Sequence, residues 1–153
     1  MTEGATLFRT QRFAMEGAGQ SHTLDTEIAC RKLLGTVPAK RFGDLHLWTH
    51  NSWNHFFSDH AVVTTIVPLS PTETLVRTRW LVHKDAVEGI DYDLDRLTEV
   101  WKATNQQDAD LVARAQKGAE STGYLPGPFS PFTERLVELN TQWYLRRLSE
   151  VGA

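Results

Sequence analysis

An α+β fold, with an antiparallel sheet and one long helix packed across it in a helix-grip-like arrangement, is what this sequence predicts. Three observations carry the expectation. Between residues 44 and 82 apolar and polar residues alternate, the pattern of half-buried strands. After residue 93 the apolar period changes to that of a helix. Turn-rich stretches, "PLSPTE" at 68–73 and "GYLPGPFSP" at 123–131, punctuate the pattern. The 153 residues suffice for one core and are few for two. With 41% hydrophobic and 23% charged residues the chain has an ordinary globular composition.

Residues 1–43 are irregular in pattern, with a short helix expected from Asp25 or Thr26 and stopped by Gly35. In "DLHLWTH" (44–50) Leu45 and Leu47 face one way, His46 and Trp48 the other. "DHAVVTTIV" (59–67) is rich in β-branched residues, which suit a pleated surface. "TLVRTRWLV" (74–82) alternates again, with Arg77 and Arg79 opposite Thr78 and Trp80. Leu94, Leu97, Trp101, Thr104, Asp108, Leu111 and Ala115 then follow a 3, 4, 3, 4 spacing and form one helical stripe, which Gly118 stops. A last helix is expected from a Ser130 cap with Pro131 at its first position, burying Phe132, Leu136, Leu139 and Trp143. A long helix across a curved sheet encloses a hollow suited to a ligand.

The net charge of −3, without a basic run, argues against nucleic acid or an anionic membrane as partner. No apolar stretch is long enough to span a membrane, and "MTEGATLFRT" lacks the apolar core of a signal peptide, so the cytoplasm is the expected compartment. Cys30 is the single cysteine, which excludes an internal disulfide and a cysteine-based cluster within one copy. Its default role is that of a small buried hydrophobe.

Asp108 is the anomaly, a carboxylate inside the apolar stripe. Burying it ionised without a partner costs several kcal/mol, on the order of the penalty for any unpaired buried charge. Three readings stand open: a cap for a second helix after a kink at Asn105, a salt bridge with Arg77 or Arg79, or a metal ligand facing the hollow. Spacing does not choose among them.

The residues around it add a resemblance. The Asp of Gln107-Asp108, the Gln116-Lys117-Gly118 turn, the Tyr124-Leu125-Pro126-Gly127-Pro128 segment and the aromatic final helix with Trp143-Tyr144 resemble, in this order, the carboxy-terminal end of Rieske non-heme iron oxygenase α subunits. The branch acting on quaternary ammonium compounds such as glycine betaine, choline and carnitine is the most similar. Upstream, "NHFFSDHAVVTTIVPLSPTETLVRTRWLVHKDAVEGIDYD" is similar to the strand–turn–strand before this helix. The likeness runs from about residue 8 to 148, so the whole chain, 1–153, is read as the carboxy-terminal portion of a catalytic domain, a partial domain.

The resemblance implies a mononuclear Fe(II) held by two histidines and one carboxylate, with coordination positions open for dioxygen. Asp108 matches the carboxylate; Gln107 stands where many members have Glu. Trp101, Thr104 and Asn105 are then expected to line the substrate pocket or orient the ligand. The family's histidines belong to a segment resembling N-x-x-E-x-x-H-x-x-x-x-H, which is not matched. His50, His55 and His60 repeat its five-residue gap, yet lack the leading Asn and Glu, and are expected to be polar residues of strand ends and loops. One carboxylate alone is not expected to hold iron tightly. A Rieske [2Fe–2S] cluster needs two cysteines and two histidines, so it is expected outside this chain. Trp48, Trp53, Phe56, Trp80 and Trp101 are expected to be core, with Trp101 the candidate for a cation–π contact to a quaternary ammonium.

For the intact enzyme the resemblance implies a small-molecule substrate, dioxygen, a reductase that feeds electrons through the Rieske cluster, and often a homotrimer. Rival expectations are an oxygenase of aromatic rings or acids, a non-catalytic truncated or ligand-binding domain, and a split enzyme whose Rieske domain is a separate chain.

Overall fold

The computed structural model describes residues 9–37 and 41–152. The reading of the first eight residues lies outside the described part. The element order is β1 (Arg9–Phe13), β2 (Asp44–Thr49), β3 (Ser52–Phe56), β4 (His60–Ser70), β5 (Glu73–Val82), α1 (Leu94–Ala119) and α2 (Arg135–Val151). The strands form one antiparallel sheet in sequential order β1-β2-β3-β4-β5, so the α+β expectation holds. The described residues divide into two units, one within 9–110 and one over 111–152.

Within the first unit the hairpins set the geometry. A two-residue turn at His50–Asn51 joins β2 to β3 and places His46 opposite His55 and Trp48 opposite Trp53. Asp44 shares their face of the sheet, because successive side chains alternate. Continued across the ladder, that face carries Val62 and Thr64 of β4 and Thr78 and Trp80 of β5. Gly43, just before β2, has φ of 100°, and a Cβ there would clash with the Phe13 carbonyl oxygen; only glycine fits.

Helix α1 starts where Asp93 Oδ1 accepts the Arg96 N–H at 2.9 Å, an N-cap. Leu97, Thr98 and Trp101 are its buried residues. Trp101 joins Phe57 and Val62 in the core, with Trp80 packed against them. Asn105 Nδ2 donates to Thr78 Oγ1 at 3.1 Å. The first three turns of α1 thus meet the inner face of the sheet at Val62, Thr78 and Trp80.

A buried carboxylate anchors the segment 14–37 at Ser21, Ala29 and Cys30. Asp59 is 0% exposed; its Oδ1 accepts from Ser21 Oγ at 2.7 Å and its Oδ2 from the Ala29 and Cys30 N–H groups at 2.6 and 3.1 Å. His60 Nδ1 lies 3.2 Å from Oδ1. Burial pushes this carboxyl up, but the His60 imidazole and the hydrogen bonds outweigh burial and hold it below its ordinary value. Cys30 is a free, buried thiol.

Several expectations change. No helix forms at 21–35; Thr26 adopts φ of 65°, and its carbonyl accepts from the N–H groups of Gln20 and Ser21, folding the segment back on itself. Strands β1 and β3 are additional to the predicted set, and β4 runs through Pro68 to Ser70 with a register shift, leaving a turn at 71–72. Helix α2 begins at Arg135 instead of Pro131; Ser130 Oγ caps the preceding turn, accepting from Phe132 and Thr133 N–H at 3.3 Å. Of its predicted buried face, Phe132 and Leu136 are exposed and Leu139 and Trp143 half-buried, since no residue of α2 is covered enough to be buried. No described helix is long and apolar enough to cross a membrane.

Candidate metal and substrate site

Asp108 lies in the middle of α1, which runs unbroken from Leu94 to Ala119, so it caps no second helix. Arg77 and Arg79 pair with β4 on the sheet face opposite to Thr78 and Trp80, and both are exposed. The salt-bridge reading therefore fails on geometry. Among the described residues Asp108 has no hydrogen bond or ion pair, and it is exposed. The stripe that includes it is exposed at Leu94, buried at Leu97 and Trp101, half-buried at Thr104, and open from Asp108 onward. Just before Asp108, Asn105 Nδ2 reaches the sheet at Thr78. The donors around Asp108 number one, so the described residues do not complete a mononuclear iron site at this position. They do not fit a Rieske cluster either, because Cys30 is the single thiol.

Trp101 is 5% exposed and belongs to the core, as the default for a large aromatic requires. Its ring also closes a cluster of imidazoles and aromatics. It lies 4.4 Å from the His55 ring, 5.1 Å from His22 and 6.4 Å from Trp53, the last two in edge-on geometry. His46 stands 4.2 Å from His55 and 4.7 Å from Trp48.

At the centre of this cluster is a group that the sequence reading did not single out. Asp44 Oδ2 lies 2.6 Å from His46 Nε2 and 2.8 Å from His55 Nδ1. Asp44, His46 and His55 each offer a ligand atom, all within 4.8 Å of one another. Two imidazoles and a carboxylate are the donor set of many iron and zinc centres. The signal was available: Asp44 and His46 are two apart on one strand face, and a tight turn at His50–Asn51 pairs residues equidistant from it. The five-residue gaps drew attention to His50, His55 and His60 instead. His50 sits in that turn and His60 binds Asp59, so those histidines do not meet. His22 faces the same group. Burial lowers its pKa first, the Asp44 charge opposes this, and the neighbouring imidazoles of His55, His60 and His46 add to the lowering.

A pocket of about 440 Å³ opens beside the cluster. Phe13, Met15, His22, Asp44, His46 and Phe57 contribute to its wall. It lies between the segment after β1 and strand β2; α1 contributes no residue to it.

Comparison with known proteins agrees with the resemblance. Residues 5–150 match the ring hydroxylating alpha subunit (catalytic domain) family. The chain is 46% identical over 129 residues to the glycine betaine monooxygenase oxygenase subunit of Pseudomonas aeruginosa (strain UCBPP-PA14), a match covering 84% of this chain and 30% of that protein. The protein of the same name from Chromohalobacter salexigens is 46% identical over 125 residues, covering 81% of this chain and 28% of the relative. The chain thus spans less than a third of the length of these curated relatives.

Proposed function

This chain belongs to the ring hydroxylating alpha subunit (catalytic domain) family, and we propose that it is the carboxy-terminal portion of an oxygenase that, when intact, acts on a quaternary ammonium compound. The observation that carries this reading is the 46% identity to two glycine betaine monooxygenase oxygenase subunits. In the proposed reaction dioxygen, two electrons from a reductase and two protons convert an N-methyl C–H bond to C–OH and release one water. The resulting carbinolamine collapses to a tertiary amine and an aldehyde.

The residues of this chain have defined parts in that reading. Asp108 is the carboxylate ligand of the mononuclear iron, which supplies dioxygen activation when bound; its histidine partners come from outside the chain, as does the Rieske cluster. Thr104 and Asn105, adjoining the uncovered part of α1, line the substrate side, and Asn105 is held in place by Thr78. Trp101 packs in the core behind them. The exposed apolar side chains of α1 and α2, Leu111, Leu136 and Leu145 among them, suit burial against the rest of the domain.

The test uses the full-length protein with a reductase, following oxygen uptake and aldehyde release with glycine betaine, choline, carnitine and an aromatic acid. Uptake with aldehyde release on a quaternary amine is expected. Turnover of the aromatic acid alone overturns the substrate assignment. In the same protein Asp108→Ala is expected to lose mononuclear iron and activity while keeping its [2Fe–2S] absorbance. Retained iron together with retained turnover removes Asp108 from the ligand set.

A further inference from the structure

We propose that Asp44, His46 and His55 bind one divalent first-row transition metal ion through two imidazoles and one carboxylate. The arrangement is built by strand register, since His46 and His55 are direct cross-strand partners and Asp44 shares the face of His46. Bonds of about 2.0–2.2 Å to a tetrahedral ion set neighbouring donors roughly 3.3–3.6 Å apart. The distances of 2.6 and 2.8 Å from Asp44 Oδ2 to the two ring nitrogens widen by roughly 0.5–1 Å to admit an ion, and all three ligand atoms already lie within 4.8 Å of one another. Burial adds the second observation. His55 is 4% exposed, and Asp44 Oδ1, His46 Nδ1 and His55 Nε2 are buried atoms without a partner. A carboxylate in such surroundings needs positive charge beside it. A proton on one imidazole supplies a single charge; a divalent cation supplies two and engages all three side chains.

The donor types select among ions. Imidazole suits zinc, iron, cobalt and nickel, whereas magnesium and calcium favour oxygen alone. Three protein donors leave a position for water in a tetrahedral ion, and the pocket bordered by Asp44 and His46 gives a path of entry. The expectation that this chain holds little metal set its histidines aside; these donors give it a site of its own. The inference does not rest on the substrate reading.

The test is titration of the chelator-treated 153-residue chain, untagged, with Co(II) by visible d–d absorption and with Zn(II) by calorimetry. One equivalent should bind with a dissociation constant of roughly micromolar or tighter. Asp44→Asn, His46→Gln and His55→Gln should each weaken binding by roughly tenfold or more, and His83→Gln, far along the chain in an ion pair with Asp85, should leave it unchanged. Circular dichroism of the metal-free variants checks their folding. X-ray absorption of the zinc-loaded unsubstituted chain is independent of any variant and should count two imidazoles. Failure to bind Co(II) or Zn(II), fewer than two imidazoles, or unchanged affinity in the folded variants overturns the proposal.

Discussion

The two halves of α1 obey the same spacing and meet different fates. In the first half Leu97 and Trp101 of the apolar stripe are buried, Trp101 against Phe57, Val62 and Trp80; from Leu111 to Gly152 no described residue is buried, and Phe132 is 93% exposed. Periodicity is therefore a statement about which side chains share a face. Whether that face is covered depends on what chain is available to lie against it. The two carboxylates make the same point in charge. Asp59 is wholly enclosed and has four partners, whereas Asp108, on the stripe that sequence marked as buried, is open.

Substitutions can break this contrast. Trp101→Ala should cost about 3–5 kcal/mol in urea unfolding of this chain, and Leu111→Ala within about 0.5 kcal/mol. Equal losses at the two positions would mean that the second half of the stripe is covered in solution. Asp59→Ala should cost a similar amount, about 3–5 kcal/mol, because it strands buried donors and the His60 imidazole. Asp108→Ala in the same chain should lie within about 0.5 kcal/mol.

The pH dependence sharpens the carboxylate comparison. The folded-state pKa of Asp59 is lowered, so its ionised form stabilises the fold. That contribution is complete above the unfolded-state value of about 3.9 and is lost as pH falls below it through the folded value. The urea midpoint of the unsubstituted chain should therefore drop more steeply with acid below about pH 4 than that of Asp59→Asn. Parallel curves would count against an ionised Asp59. Hydrogen exchange should likewise find slow amides at Asn54–Val62 and faster ones from Leu111 onward. The smallest effect concerns the exposed Arg96–Asp25 pair, bonded at 2.7 and 2.8 Å. There Arg96→Ala should shift the midpoint only slightly, and less at high salt.

Much of this was legible in the sequence. Alternation in "DLHLWTH" and "TLVRTRWLV" located β2 and β5, and the 3, 4 spacing located α1 and its end near Gly118. The aromatics Trp80 and Trp101 went to the core, where large rings gain most from leaving water. The order of short motifs from Asp108 to Tyr144 identified the family. Strand β3 was missed because "SWNHF" is too polar to alternate visibly, and β1 because five residues with two arginines carry little apolar signal. The folded path of residues 21–35 rests on backbone groups of Gln20, Ser21 and Thr26 and on Asp59, a partner far along the chain.

By itself, then, the sequence determined the type of each long element, the face on which its side chains stand, and the family, because periodicity and motif order are local properties. Only the tertiary structure decided which faces are covered, and that Asp44, His46 and His55 meet while His50 and His60 go elsewhere. That decision rests on the register of the β2–β3 hairpin, where a shift by one residue would turn every side chain to the other face.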